Sequence, residues 1–192
     1  MGFFELRDLS IPSIPWREFN SDTILDNRLL WTVRTAVFFG NDLNLPRKVG
    51  VSSGEAMEFG KKMLLELNNR GIVIYYPYFI AVKSGNLNVF RNQIVIEAVK
   101  DDLWNLVSLS NREVTIIDNY AGGKQIIGNE SFLSESEILE IEECVPHLRR
   151  RFNDQLLNGK SILLEWSFAK NCNKNKEPIG QQYLVFYEVR TV

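Results

Sequence analysis

Two carboxylates and a guanidinium near the carboxyl end carry the clearest chemical signal in this sequence. Ser161-Ile-Leu-Leu-Glu165-Trp-Ser-Phe168 and Tyr183-Leu-Val-Phe-Tyr-Glu188-Val-Arg190 are apolar, β-branched and aromatic runs, each with one carboxylate set in it. Burying an unpaired carboxylate costs on the order of several kcal/mol, so such a residue calls for a cation, a metal or a ligand beside it. Side chains alternate along a strand, so Glu188 and Arg190 share one face, while Tyr183, Val185, Tyr187 and Val189 take the other. The first face reads as a site or a wet surface and the second as core. Arg34 is the sole charge within Leu29-Leu-Trp-Thr-Val-Arg-Thr-Ala-Val-Phe-Phe39.

Other chemistries are poorly supplied. There is one histidine, His147, so a zinc site or a histidine-based triad is poorly supplied. No spacing fixes two of Glu97, Glu165 and Glu188 at the defined separation a carboxylate-based hydrolase needs. The net charge of −2 and a sequence pI near 5.6 give no broad means of neutralising a phosphate backbone, which argues against a nucleic-acid partner. The basic run Arg149-Arg150-Arg151 reads as a solvated helix end. Cys144 and Cys172 lie far apart in the sequence. With no signal peptide and no apolar run of 18 residues, the expectation is a cytoplasmic protein with reduced thiols and no membrane partner.

The elements that must position these residues follow from local pattern. Pro12 and Pro15 make residues 1–22 an extended arm. The Leu29–Phe39 run favours a strand, with a helix from residue 24 left open, and 40–50 reads as a loop. Ser52 and Glu55 form a capping box for a helix that ends at Gly71, with Ala56, Phe59, Met63, Leu64 and Leu67 at helical spacing. A strand at 72–81 places Pro77 at a bulge, an edge or a bend. Ser84-Gly85-Asn86 reads as a turn, 86–90 and 93–99 as strands, and 102–108 and 113–118 as continuing the sheet. Tyr120-Ala-Gly-Gly-Lys-Gln125 reads as a loop, because no Ser or Thr follows the lysine and no helix opens behind it. A second capping box, Ser134 with Glu137, starts a helix whose buried stripe is Ile138, Ile141, Val145, Leu148 and Phe152, kinked or interrupted at Pro146. The loop 170–180 joins the two terminal strands.

In this order, several segments resemble the nucleotide-binding domain of the phosphoenolpyruvate synthase and pyruvate phosphate dikinase family. Phe132-Leu-Ser-Glu-Ser-Glu-Ile-Leu-Glu-Ile-Glu142, then Ile162-Leu-Leu-Glu165-Trp, then the strand ending Glu188-Val-Arg190 are similar to the end of that domain. Trp31-Thr-Val-Arg34-Thr-Ala36 resembles its Val-Arg-Ser-Ser segment. Residues 72–85 resemble its strand leading into a Ser-Gly turn, and Ile94-Val-Ile-Glu97-Ala98 resembles its Ile-Glu-Ala strand. The similarity spans about residues 29–192.

The resemblance implies an α+β, ATP-grasp-like fold, with a mainly antiparallel sheet and a few packing helices. It implies an arm at 1–28 and a domain at 29–192, divided into two small lobes with a hinge near 71–81. The implied ligands are ATP and Mg²⁺, held by Arg34, Glu97, Glu165, Glu188 and Arg190, with Glu165 and Glu188 on the metal. Phosphoryl transfer needs carboxylates for Mg²⁺ and cations for phosphate oxygens, and a planar guanidinium suits the latter well. The sequence departs from the family pattern in several places. A Gly-rich opening with its lysine is missing before residue 29, Lys100-Asp-Asp-Leu-Trp replaces a Gly-Leu-Gly-Glu segment, and Glu188 and Thr191 stand where the family has Gln and Pro. The phosphohistidine and pyruvate-binding domains are absent, so the implied protein is a phosphotransferase-like remnant with partial or lost activity, or one served by a separate protein. The competing expectation is a non-enzymatic scaffold, as a homo-oligomer or with a partner protein, using Tyr75–Phe79 and the loop 170–180 as contact surfaces.

Overall fold

The computed structural model describes residues 2–39, 45–103 and 112–192. Residues 14–80 and 170–182 make one compact unit, and residues 2–13, 81–169 and 183–192 make a second. In chain order the elements are α1 (Gly2–Arg7), β1 (Arg17–Glu18), β2 (Trp31–Val37), β3 (Arg47–Val51), α2 (Ser53–Leu67), β4 (Gly71–Pro77), β5 (Phe79–Val89) and β6 (Gln93–Lys100). After these come β7 (Val114–Asn119), β8 (Gly123–Gly128), α3 (Glu135–Glu142), α4 (Val145–Arg151), α5 (Asn153–Leu157), β9 (Ile162–Cys172) and β10 (Pro178–Thr191). The fold is α+β, and its strand registers are antiparallel throughout β1–β4, β2–β3, β2–β4 and β5 to β8. Among the described residues no helix is long and apolar enough to cross a membrane.

In the first unit the four-stranded sheet has the order β1-β4-β2-β3. The capping box at the head of α2 forms: Ser52 Oγ accepts the Glu55 N–H, and the Glu55 carboxylate accepts the Ser52 N–H. Helix α2 stops before Gly71, where Asn68 and Asn69 turn left-handed at φ 42° and 64°. Trp31 and Val33 of β2 join Val73, Ala56, Met63 and Phe19 in one core, so alternation turns Thr32, Arg34 and Ala36 to the sheet face away from α2. The segment read as strand or helix is therefore a strand. Residues 47–51, read as part of a loop, form β3, while 40–44 lie outside the described residues.

In the second unit the six-stranded sheet has the order β10-β9-β5-β6-β7-β8. Its core joins Leu87, Ile94, Ile96, Leu164, Trp166, Phe168 and Phe186 to Ile138, Ile141 and Leu148 of the helices. The Ser134–Glu137 capping box forms, but Pro146 opens a separate helix, α4, instead of kinking a continuous one. Residues 2–7 are helical and not extended, and Leu6, Leu9 and Ile11 enter the core. The prolines act only downstream of them, where Pro12 accepts the Phe186 N–H and Ser13 bridges Phe186. The strand expected at 102–108 lies mostly outside the described residues.

The turn expected at Ser84-Gly85-Asn86 is instead the middle of β5, with Gly85 paired to Ala98. Its glycine answers to packing. A Cβ at Gly85 would strike the Glu97 carbonyl oxygen and come to 2.5 Å from the Trp166 ring. Gly54, in the first turn of α2, has nothing within 4 Å of the same position. Gly85→Ala should therefore cost about 1–3 kcal/mol by overpacking, read as a lower urea midpoint at unchanged slope. Gly54→Ala should raise the midpoint by up to about 1 kcal/mol through helix propensity.

Candidate functional site

The second unit builds a polar face on the side of its sheet away from the core. Ile94, Ile96 and Ala98 of β6 point into the core, so Glu97 points the other way, opposite Asn86 of β5 and Thr115 of β7. The Glu97 carboxylate accepts from Arg112 Nε at 2.8 Å. On β9 the core residues Leu164, Trp166 and Phe168 leave Glu165 and Ser167 on the opposite face. Ser167 Oγ lies 2.8 Å from Ser84 Oγ, and Ser84 also donates to the Asp101 carbonyl at 2.6 Å. Ser84, Asn86 and Asn88 alternate along β5, so Glu97 and Glu165 share this face with them. Asn88 Oδ1 is buried without a hydrogen-bond partner among the described residues. An unpaired acceptor of this kind costs about 1–3 kcal/mol, which a donor from a ligand or water would recover.

Glu188 has a different setting. It is buried, and its Oε1 accepts the Gly2 N–H at 3.0 Å, so it holds the first turn of α1. Leu184 and Phe186 enter the core, and so does Val189, so the alternation along β10 slips once beside Glu188. This differs from the expected split, with core on the odd residues alone: a single irregularity re-aims every side chain beyond it. Arg190 is exposed.

Arg34 belongs to the first unit. It is half-buried on β2, between the buried Thr32 and Ala36, on the face away from α2. Its cross-strand partners are Ile74 of β4 and Arg47 of β3. The first unit also carries an open depression of about 420 Å³ lined by Asn27, Arg28, Asn173, Lys174 and Asn175. Arg28 is already engaged there. It grips Asp26 at 2.6 Å and holds that carboxyl down at about 2.

Several charged residues turn out to be braces. Lys83 Nζ reaches Glu137 Oε2 at 2.6 Å while Glu137 also closes the capping box, so one carboxylate ties α3 to β5. The capping-box spacing pointed to Glu137, but no local signal pointed to Lys83. Arg149 is no solvated helix end: it stacks 4.3 Å above the Tyr120 ring and donates to the Phe90 carbonyl at 2.9 Å. Gly123-Lys124 lies in the β7–β8 hairpin, with Lys124 paired to Glu142 at 2.8 Å. His147 is half-buried on α4.

Among the described residues no group of three His, Cys, Asp or Glu side chains could hold a metal ion. Glu188 is engaged with the Gly2 N–H of α1, and Glu165 lies on the sheet face away from the core. Mg²⁺ commonly takes one or two carboxylates and fills its shell with phosphate and water.

No protein-family model matches the chain, and no curated protein matches it. Among solved structures, the L-amino acid ligase from Bacillus licheniformis is similar at 13% identity with a TM-score of 0.46, over 97% of this chain and 37% of the ligase. The chain thus spans well under half of that enzyme's length, and a likeness so loose carries no inference about activity.

Both thiols are buried, which fixes their behaviour. Burial, then the nearby Glu140 and Glu143, pushes the Cys144 thiol from its ordinary 9.0 to about 12. Burial also raises Cys172, against the opposing charge of Lys176. Neither thiol should react with a disulfide reagent in the folded protein, and both should react once it is unfolded. Between about pH 9 and about pH 12 the unfolded chain loses the Cys144 proton first, so stability should fall as pH rises through that window. Cys144→Ala should flatten this alkaline loss in urea midpoints.

Proposed function

We propose that this protein binds ATP with Mg²⁺ through an ATP-grasp-like fold, with Arg34 of the first unit on the phosphates. The observation that carries the reading is Arg34, a half-buried guanidinium in mid-strand, where every residue from Trp31 to Ala36 except Arg34 itself is buried. Its planar fork matches phosphate oxygens. The α+β antiparallel architecture and the ordered resemblance to the nucleotide domain of phosphoenolpyruvate synthase support the same reading. Bound Mg²⁺ would neutralise phosphate charge. In the second unit Glu97 is held by Arg112. On this reading phosphate transfer is partial or lost, or is completed with a separate protein.

A second reading, a non-enzymatic interaction module, is favoured by exposed apolar side chains in the first unit. Phe39, Ile24 and Leu65 are 93%, 90% and 82% exposed. The aromatic stretch expected to make such contacts is largely turned inward. Tyr75 packs edge-on against Phe19 and Trp31, and Tyr76 is buried.

Millimolar ATP with Mg²⁺ should raise the thermal midpoint, with about 2.7 kcal/mol gained at 100 times the dissociation constant. Arg34→Ala should abolish the rise, and the gentler Arg34→Gln should weaken it by about 1.5–3 kcal/mol, the worth of a hydrogen bond to a charged group. A folded wild-type protein with no rise at all, eluting with a partner or as an oligomer in size exclusion with light scattering, would favour the interaction module.

A further inference from the structure

The register of β2 against β3 places Arg34 directly opposite Arg47, and residues opposite each other in an antiparallel pair project from the same face. The spacing can be read from the next pair along. Thr35 donates its N–H to the Pro46 carbonyl at 3.1 Å, which makes Thr35 and Pro46 a hydrogen-bonded pair. Pairs of the two kinds alternate, so Arg34 and Arg47 form the close type, with Cα atoms about 4.5 Å apart and side chains nearest each other. Like charges directly opposite are destabilising, and a protein has many ways to avoid the pairing. Arg47 is exposed and makes no ion pair among the described residues. Its neighbour Lys48 alternates to the α2 side, opposite Val33, where its charge helps to lower the Glu55 carboxyl. The two basic residues of this edge strand are therefore divided between two faces, and only Arg47 joins Arg34.

We propose that Arg47 and Arg34 together form a two-guanidinium clasp for the di- or triphosphate of a nucleotide. The proposal rests on the nucleotide reading above and deepens it by naming a second phosphate-binding residue and the part of the ligand it selects. Two forks about one strand spacing apart can engage oxygens of successive phosphates, whereas a single phosphate must share its oxygens between them. The clasp should discriminate by phosphate number: ATP and ADP well, AMP weakly, adenosine hardly at all. Inorganic tripolyphosphate should compete. A different role for a basic residue on an edge strand is to discourage pairing with another chain, and this predicts a different outcome.

The test is calorimetric titration of the whole protein with ATP, ADP, AMP and tripolyphosphate, for wild type, Arg47→Ala, Arg47→Lys and Arg34→Gln. Arg47→Ala should weaken ATP and tripolyphosphate roughly tenfold to a hundredfold while changing AMP far less. Arg47→Lys should recover only part of the loss, because the ammonium lacks the fork. Without ligand, Arg47→Ala should unfold at the same or a higher temperature than wild type, since removing one of two opposed charges relieves the pair. Equal ATP affinity in wild type and Arg47→Ala overturns the clasp and leaves the nucleotide reading standing, and self-association of the variant would then assign Arg47 to edge protection. A wild type that binds none of the four ligands overturns both.

Discussion

The second unit depends on a single missing side chain. Trp166 is the largest fully buried residue, and it lies against β5 where Gly85 has no Cβ to meet it. Any larger residue there would push β5 away from Trp166 on one side and from the Glu97 carbonyl on the other. The pairing of Gly85 with Ala98 and of Asn86 with Glu97 would then be disturbed. Because side chains alternate, fixing the inward position of Trp166 also fixes the outward position of Glu165. The polar face is thus a by-product of core packing: its carboxylates are held where they are because their strand neighbours are locked inside.

The polar groups around this core divide into those that brace and those left to face outward. Lys83 and Glu137 tie a helix to a strand, Arg149 closes the turn between β5 and β6, and Glu188 holds α1. Each sits where burial makes a lost partner costly, so they are poor candidates for ligand exchange. Asn88 is placed differently: it stands on the face the core does not use, with a buried acceptor that has no partner among the described residues. In the first unit the same logic sets Lys48 apart from Arg47. The first lies on the α2 side near Glu55, and the second shares a face with Arg34.

Much of the local structure was legible in the sequence. Both capping boxes were, because their reciprocal hydrogen bonds are made within four residues of chain. The strands within 31–37, 93–99, 162–168 and 183–190 were visible in their β-branched and aromatic content, whereas 170–172 and 178–180, which read as loop, continue β9 and open β10. The misreadings share a cause. Gly85 was taken for a turn because a glycine looks the same whether it frees the backbone or admits a tryptophan. The opening residues were taken for an extended arm because Pro12 and Pro15 dominate them, although neither constrains residues 2–7. The strand at 47–51 was hidden behind Pro46, whose carbonyl still accepts from Thr35.

The sequence by itself determined which residues carry charge inside apolar runs and where the two capped helices begin. These depend on residue type and near spacing, which the chain states directly. The tertiary structure alone decided the partners: Arg47 beside Arg34, Gly2 on Glu188, Arg112 on Glu97. Cross-strand register and one slip in the alternation of β10 set those pairings. Both arise from packing between segments far apart in the chain, so no local pattern records them.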